Sequence, residues 1–241
     1  MIDLHCHLFP GIDDGPKELA DSIELAKLVL ENGITHSVVT PHIIPGRYDN
    51  DLFTITTAYE AFKQALHESE IDLKIGMAAE VRLGPEIFML FKEERLPYLG
   101  EFEGRKVLLL EFPPDHIPPG SENMIKWLFD HNIIPMIAHP ERNKDVLWKI
   151  SKLQTFVDAG CLIQITASSL VGNFGPESQK CARKMLKKGW VTILASDAHN
   201  LHKRLPEIEP GRAVVEELLG KEASWKMVKD IPLEIASKHF L

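Results

Sequence analysis

Cysteine is scarce in this chain: three residues, Cys6, Cys161 and Cys181, are scattered over 241 positions with no paired spacing. An odd count without pairing excludes a disulfide framework and a cysteine-built structural zinc site, and reads as reduced thiols in a cytoplasmic protein. No apolar run approaches the roughly 18 residues that cross a bilayer, so no membrane insertion is expected. The first fifteen residues already hold Asp3, His5, His7, Asp13 and Asp14, which a signal peptide would not carry. Basic charge is in deficit: the formal net charge is -8 and the pI about 5.8. That excludes nucleic acid held by a basic footprint, but not an anionic substrate in a locally positive pocket. Low-complexity tracts and long linkers are also missing. With 44% hydrophobic and 26% charged residues, the expectation is one folded domain over residues 1–241.

A unit of about 30–40 residues recurs: a helix, a Gly or Asn stop, an apolar strand and then a polar residue. In the first copy Pro16 suits the first helical turn, Leu19, Ile23, Ala26 and Leu30 give a helical stripe, and Gly33 suits a left-handed cap. A strand over residues 35–40 follows and ends in Pro41-His42. Downstream, Asn132, Gly160 and Gly189 precede strands over residues 133–138, 161–165 and 190–195, which run into His139, Thr166 and Ser196-Asp197-Ala198-His199. Strands over residues 1–4, 73–78 and 106–110 run into His5, Glu80 and Glu111. About seven short buried strands joined by helices call for a parallel sheet. Closure on itself gives an α/β fold, a (β/α)7 relative of the TIM barrel; an open doubly wound sheet is the alternative. Polar residues at the C-terminal strand ends favour the barrel, because barrel enzymes build their sites there.

His5 and His7 lie at i and i+2 on a strand, so both face one side while Cys6 faces the other, as a packing residue. Asp197 and His199 repeat that spacing at the last strand, which a closed barrel brings beside the first. Asp14, His42, Glu80, Glu111 and His139 lie between them, making five imidazoles and four carboxylates in all. So much ionisable chemistry is untenable in one place without compensating charge, which divalent metals supply. The set is too large for one ion and fits two or three, with a carboxylate bridging. Mixed nitrogen and oxygen donors suit Mn, Fe, Zn or Co. Asp14 could instead cap the helix after Pro16, and Glu80 and Glu111 could be rim residues. His36, His67, His116, His131, His202 and His239 read as ordinary surface or core residues. Arg142, three residues after His139, and Arg204, five after His199, suggest a phosphate clamp, with Arg47 a third candidate.

Asp3-Leu4-His5-Cys6-His7, Pro41-His42, Glu80, His139-Pro140 and Ser196-Asp197-Ala198-His199 resemble, in order, the motifs of the polymerase and histidinol phosphatase (PHP) family. The longer strings from His5 to Gly15, His139-Pro140-Glu141-Arg142-Asn143 and Ser196 to Asn200 are similar to the manganese-dependent protein-tyrosine phosphatases of bacterial capsule and exopolysaccharide systems. The resemblance implies a distorted (β/α)7 barrel with three metal ions, manganese first among them. His5, His7, Glu80 and Asp197 would hold one ion. Glu80 would bridge to a second, with Glu111 and His139, and Asp14, His42 and His199 would hold the third. Asn143 stands where that branch commonly carries an aromatic.

The implied activity is hydrolysis of phosphotyrosine by a hydroxide bridging two ions, with Arg142 and Arg204 neutralising the transferring phosphoryl group. The implied partner is the tyrosine-rich tail of a bacterial tyrosine autokinase. A phenolate leaving group needs little protonation, so no general acid is assigned, although His42 and His199 lie nearest that role. Three other readings compete: a small-molecule phosphatase of the histidinol phosphate type, an amidohydrolase-type hydrolase, and a non-catalytic phosphotyrosine-binding protein.

Overall fold

The structure is a computed structural model and describes residues 1–241. Its strands are β1 (Ile2–Cys6), β2 (His36–Val39), β3 (His42–Ile43), β4 (Lys74–Met77), β5 (Glu80–Arg82), β6 (Gly100–Phe102), β7 (Arg105–Glu111), β8 (Ile133–Ala138), β9 (Leu162–Thr166) and β10 (Ile193–Ala195). The helices are α1 (Leu19–Glu31), α2 (Leu52–Glu68), α3 (Glu86–Lys92), α4 (Ser121–Asp130), α5 (Lys144–Trp148), α6 (Gln154–Asp158), α7 (Pro176–Lys187), α8 (Glu209–Leu219), α9 (Lys221–Trp225) and α10 (Ile231–Ala236).

Seven strands are expected and ten are present, because two expected strands break and resume and one, β6, is additional. Chain β2 passes through Thr40-Pro41 into β3, and β4 passes through Ala78-Ala79 into β5. Pro41 has no N–H to give a ladder, so pairing stops there. The first halves pair in the parallel order β1-β2-β4, and the second halves extend the parallel run β10-β9-β8-β7-β5-β3. The remaining strand, β6, is an antiparallel hairpin partner of β7. Counted around the ring, β2/β3 and β4/β5 each fill one place, which restores seven positions. A bridge between Cys6 and Ala198 joins the last strand region to the first. The architecture is thus a distorted (β/α)7 barrel, closed most tightly at its C-terminal end.

At the opposite end β4 and β7 do not pair. The C-terminal segment fills that opening. Ile235 and Ala236 of α10 join the inner core of Ile2, Leu4, Val38, Val107, Leu109 and Met136. A second, larger core lies between the strands and the outer helices, with Phe9 and Phe62 edge-to-face at 5.8 Å.

The first helix departs from expectation. Helix α1 begins only at Leu19, so Pro16 lies ahead of it. Its buried stripe is Ser22, Leu25, Ala26 and Val29, and Leu19 is exposed. The apolar spacing chosen from the sequence was one of two overlapping stripes, and the barrel wall selected the other. The expected stops at Gly33, Asn132, Gly160 and Gly189 all have positive φ. Helix α2 is set by its N-cap, where Asp51 accepts from the backbone of Phe53 and Thr54 while Thr54 reaches back.

Gly100 ties the plug to the wall. Its φ is +139°, and a Cβ there would collide with the carbonyl oxygen of Ile235. Gly100→Ala should therefore cost about 3 kcal/mol or more. Gly46→Ala is the control, because Gly46 has φ +77° with nothing within 4 Å of a Cβ, and should cost about 1 kcal/mol. Urea midpoints at constant m-value measure both; equal losses would mean that the contact with α10 does not support the barrel.

Candidate metal centre

The centre starts from a defect in β1. Asp3 pairs with Ser37 and Cys6 with Val39, so three steps on β1 oppose two on β2. Strict alternation would turn His5 away from the interior that Leu4 faces. The extra residue turns it back, as bulges do. His5 and His7 then share the inner face, and Cys6 points into the outer core. The last strand lies alongside: Asp197 N–H donates to His5 O and His7 N–H to Ala198 O, both at 2.8 Å. Buried Asp3 accepts from the Ser196 hydroxyl at 2.5 Å and from its N–H at 3.1 Å.

Four groups converge at this seam. His5 Nε2 lies 3.2 Å from Glu80 Oε2 and 3.3 Å from Asp197 Oδ1. His7 Nε2 lies 3.4 and 3.5 Å from the same two oxygens and 3.3 Å from His5 Nε2. Donor atoms about 2.1 Å from one tetrahedral ion stand about 3.4 Å apart, so these spacings are those of an ion's ligand shell. A second group is His7, Asp14, His42 and His199. Asp14 Oδ1 is 3.3 Å from His42 Nε2 and from His199 Nε2. A third is His42, Glu80 and Glu111, with His42 Nδ1 3.0 Å from Glu80 Oε2. His139 joins through Glu80 Oε1 at 2.6 Å and lies 4.0 Å from Glu111 Oε1.

The donor atoms are also unsatisfied. Asp14 Oδ1, His42 Nδ1, Glu80 Oε2, Asp197 Oδ1 and His199 Nε2 are all buried without a hydrogen bond. Orphaned groups cost free energy, commonly about 1–3 kcal/mol each. Five of them facing one small volume fit divalent cations there.

The imidazoles are oriented from behind. His5 Nδ1 bonds Gln164 Oε1 at 2.9 Å, His7 Nδ1 bonds Asp13 Oδ2 at 2.6 Å, and His199 Nδ1 bonds the Asp197 carbonyl at 2.9 Å. Holding Nδ1 in this way aims Nε2 at the centre. Asp13 also accepts from the N–H groups of Gly15 and His42, fixing the loop that presents Asp14. Asp14 is not a helix cap, since that place belongs to Glu18.

Electrostatics divides the site. Burial pushes His139 down to about 3, reinforced by Arg142, and burial with His7 pushes His199 down to about 4. Both imidazoles are therefore neutral, the form that binds metal. Against the desolvation of its burial, Asp197 is held far below the usual carboxylate range by Arg142 and Arg204. Glu111 is pushed up to about 8 by burial and by the charge of Glu80, with Arg82 opposing. Two site residues carry left-handed backbone without being glycine: His139 at φ 31° and Asp197 at φ 54°. Such strain gathers at functional sites.

A cavity of ≈ 280 Å³ opens over the centre, lined among others by Asp14, His42, Glu80, Glu111 and His139. Arg142, Arg204, Arg47 and Arg82 line it too. Arg142 Nη2 is 2.6 Å from Asp197 Oδ2, and Arg204 reaches the same oxygen. Arg82 Nε is 2.8 Å from Glu111 Oε2. Tyr48 stacks on His42 at 5.7 Å, and Arg142 lies 4.6 Å over the Phe174 ring.

All nine expected ligand residues meet here, with Arg142 and Arg204. His36 packs on Phe240 and His131 on Trp127, away from the site. Asn143 caps α5 through its side-chain oxygen. Sequence reasoning missed Asp13, Gln164 and Arg82. A lone Gln in the apolar run Leu162-Ile163-Gln164-Ile165 was the available signal; Thr166, chosen as the polar strand end, instead gives its N–H to Glu141.

The profile of the family "Capsular polysaccharide synthesis, CpsB/CapC" matches residues 1–236. The tyrosine-protein phosphatase YwqE of Bacillus subtilis is 33% identical over 233 residues, covering 97% of this chain and 91% of that protein. The tyrosine-protein phosphatase CpsB of Streptococcus pneumoniae is 26% identical, covering 98% of each. Among solved structures, one from work on YwqE of Bacillus subtilis and CpsB of Streptococcus pneumoniae, described as metal-dependent tyrosine phosphatases, superimposes with a TM-score of 0.90. It is 32% identical, covering 98% of this chain and 94% of that one. A phosphotriesterase from Mycobacterium tuberculosis (TM-score 0.57, 15% identity, 96% and 92% covered) shares the fold alone. On this match, which spans nearly its whole length, the chain belongs to the CpsB/CapC family of capsular polysaccharide synthesis.

Proposed function

We propose that this chain is a metal-dependent protein-tyrosine phosphatase, a single phosphohydrolase domain over residues 1–241 that acts on the tyrosine-bearing tail of a bacterial tyrosine kinase in capsule or exopolysaccharide synthesis. The five orphaned donor atoms beneath an arginine-lined cavity carry this reading. The names of the relatives agree with it. We assign three divalent ions, manganese first. His5, His7, Glu80 and Asp197 would hold one; Glu80, Glu111 and His139 would hold a second; Asp14, His42 and His199 would hold the third, with His7 beside them. A cytoplasmic setting suits three free, buried thiols.

Bound ions supply positive charge for the phosphoryl group and lower the pKa of attacking water. Arg142 and Arg204, both at the cavity wall, donate to phosphoryl oxygens as charge develops on them. The ring of Tyr48, stacked on His42, lines the cavity and can receive a phenyl group, and Phe174 lies against Arg142. Of the two imidazoles near a leaving group, His42 lines the cavity and His199 does not. No general acid is assigned, because His42 Nε2 faces Asp14 and its Nδ1 faces Glu80, and a tyrosine pKa near 10 makes such help modest. The four arginines favour phosphate over the amide of an amidohydrolase. Cys6 takes no part: burial pushes its thiol far up, and its Sγ faces Val38 O.

Metal-stripped protein should release no phosphate from a phosphotyrosine peptide, and added manganese should restore release. Turnover of histidinol phosphate alone would overturn the substrate. Metal loading without turnover of either would favour a binding protein. Arg142→Ala should lower kcat/KM about 10²–10³-fold. Cys6→Ser should keep its turnover while losing about 1–2 kcal/mol of stability; a folded, metal-loaded but inactive Cys6→Ser would point to thiol chemistry. Asp13→Ala removes no assigned ligand, yet should weaken metal binding about 10–100-fold in a chelator competition. Unchanged affinity would mean that His7 needs no support.

A further inference from the structure

Positive charge is concentrated on one face of this net-acidic chain. Helix α7 presents Lys180, Lys184 and Lys187 to solvent, and Lys188 follows it. None of the four is paired with a carboxylate within 4.0 Å, whereas Lys126, Lys144 and Lys152 all are. Between α5 and α7 runs a groove of ≈ 520 Å³, with Val146, Leu147 and Cys181 among the residues that line it, Lys144, Lys180 and Lys184 beside them, and Glu177 as the one acid. Trp148 stands at its edge, 77% exposed. The groove continues past Trp148 to Lys188 and Trp190 through a second hollow of ≈ 430 Å³ with no acidic residue.

This groove abuts the active-site mouth. Asn143 lines the catalytic cavity, and Lys144, the next residue, lines the groove. Lys144 Nζ is 2.5 Å from Asp115, whose neighbour Pro114 also lines the catalytic cavity. On the other side Arg142 lies over Phe174, and two residues later Pro176 opens α7. One line of residues therefore separates the phosphate site from a lysine-rich groove with an exposed indole.

We propose that this groove is a docking site for an acidic segment of the substrate that flanks the phosphotyrosine, which rests on the phosphatase reading above. A segment leaving the cavity over Asn143 enters the groove at Lys144. Its carboxylates or further phosphates meet Lys180, Lys184 and Lys188, and an apolar residue covers Trp148. Unpaired lysines have no carboxylate partner to give up when an anionic ligand arrives, and a flexible chain fits a groove whose walls are two helices. A lipid bilayer is the less suitable occupant, because it needs a convex face that inserts several apolar side chains, whereas Val146 and Cys181 are buried in the groove and Trp148 alone stands out.

The test uses the manganese-loaded full chain with three substrates: a small aryl phosphate, a phosphotyrosine peptide with neutral flanks, and one with acidic residues on both sides. The acidic peptide should have the lowest KM, with an advantage that shrinks as salt rises. In the double variant Lys180→Glu/Lys184→Glu that advantage should vanish, with kcat/KM for the acidic peptide falling about tenfold, chiefly through KM. Constants for the aryl phosphate should not change. Trp148→Ala should raise KM for both peptides and not for the aryl phosphate. Fluorescence anisotropy of the labelled peptides reads the groove apart from turnover. If the aryl phosphate is not hydrolysed, the phosphatase reading falls, while anisotropy still decides the groove. Equal KM and equal binding for acidic and neutral peptides would overturn the proposal. So would a double variant that loses binding to phosphatidylserine vesicles but handles the acidic peptide as before, since the face would then be a lipid surface.

Discussion

The junction of the first and last strands is the constraint on which the site depends. Asp3 holds Ser196 across 193 residues of sequence, and paired backbone bonds at 2.8 Å lock His5 against Asp197 and His7 against Ala198. Two short motifs, each with only half of a ligand shell, are thereby laid against one another. A carboxylate like Asp3, wholly buried, is costly unless its acceptors are used, and the Ser196 hydroxyl and two backbone N–H groups use them.

Around that seam the chain assembles an arrangement unstable by itself. Burial, with the charge of Glu80 beside it, pushes Glu111 up to about 8, while burial and neighbouring cations strip His139 and His199 of protons. Left-handed backbone at His139 and Asp197 adds local strain. The barrel wall and the plug at its far end keep these groups together. Cations relieve the repulsion, so stability and activity are coupled through the same residues.

Much of this was legible in the sequence. The paired spacings at His5/His7 and Asp197/His199 and the polar ends of apolar strands pointed to eight of the nine candidate ligand residues that meet at the centre, and Asp14 came from the loop after them. What was not legible depends on register and on tertiary contact. Gln164 reaches His5 only because β9 lies where it does in the sheet. Arg82 acts on Glu111 because β5 and β7 pair at those two residues. Pro41 marks the break between β2 and β3, but the neighbour that each half of the split strands finds is announced by neither half. The basic groove was hidden for a similar reason, since Lys144 and Lys184 lie forty residues apart and only packing of α5 on α7 unites them.

The separation of the seam's two halves has a consequence in time. During synthesis at about 5–20 residues per second, the histidines of β1 leave the ribosome roughly 10–40 seconds before Ser196 and Asp197. For that interval His5 and His7 have no Asp197 to close against, and Cys6 has no core to bury it. The burial of Cys6 by the finished barrel then takes the thiol out of reach of the centre, so the last strand's arrival leaves only nitrogen and oxygen donors there.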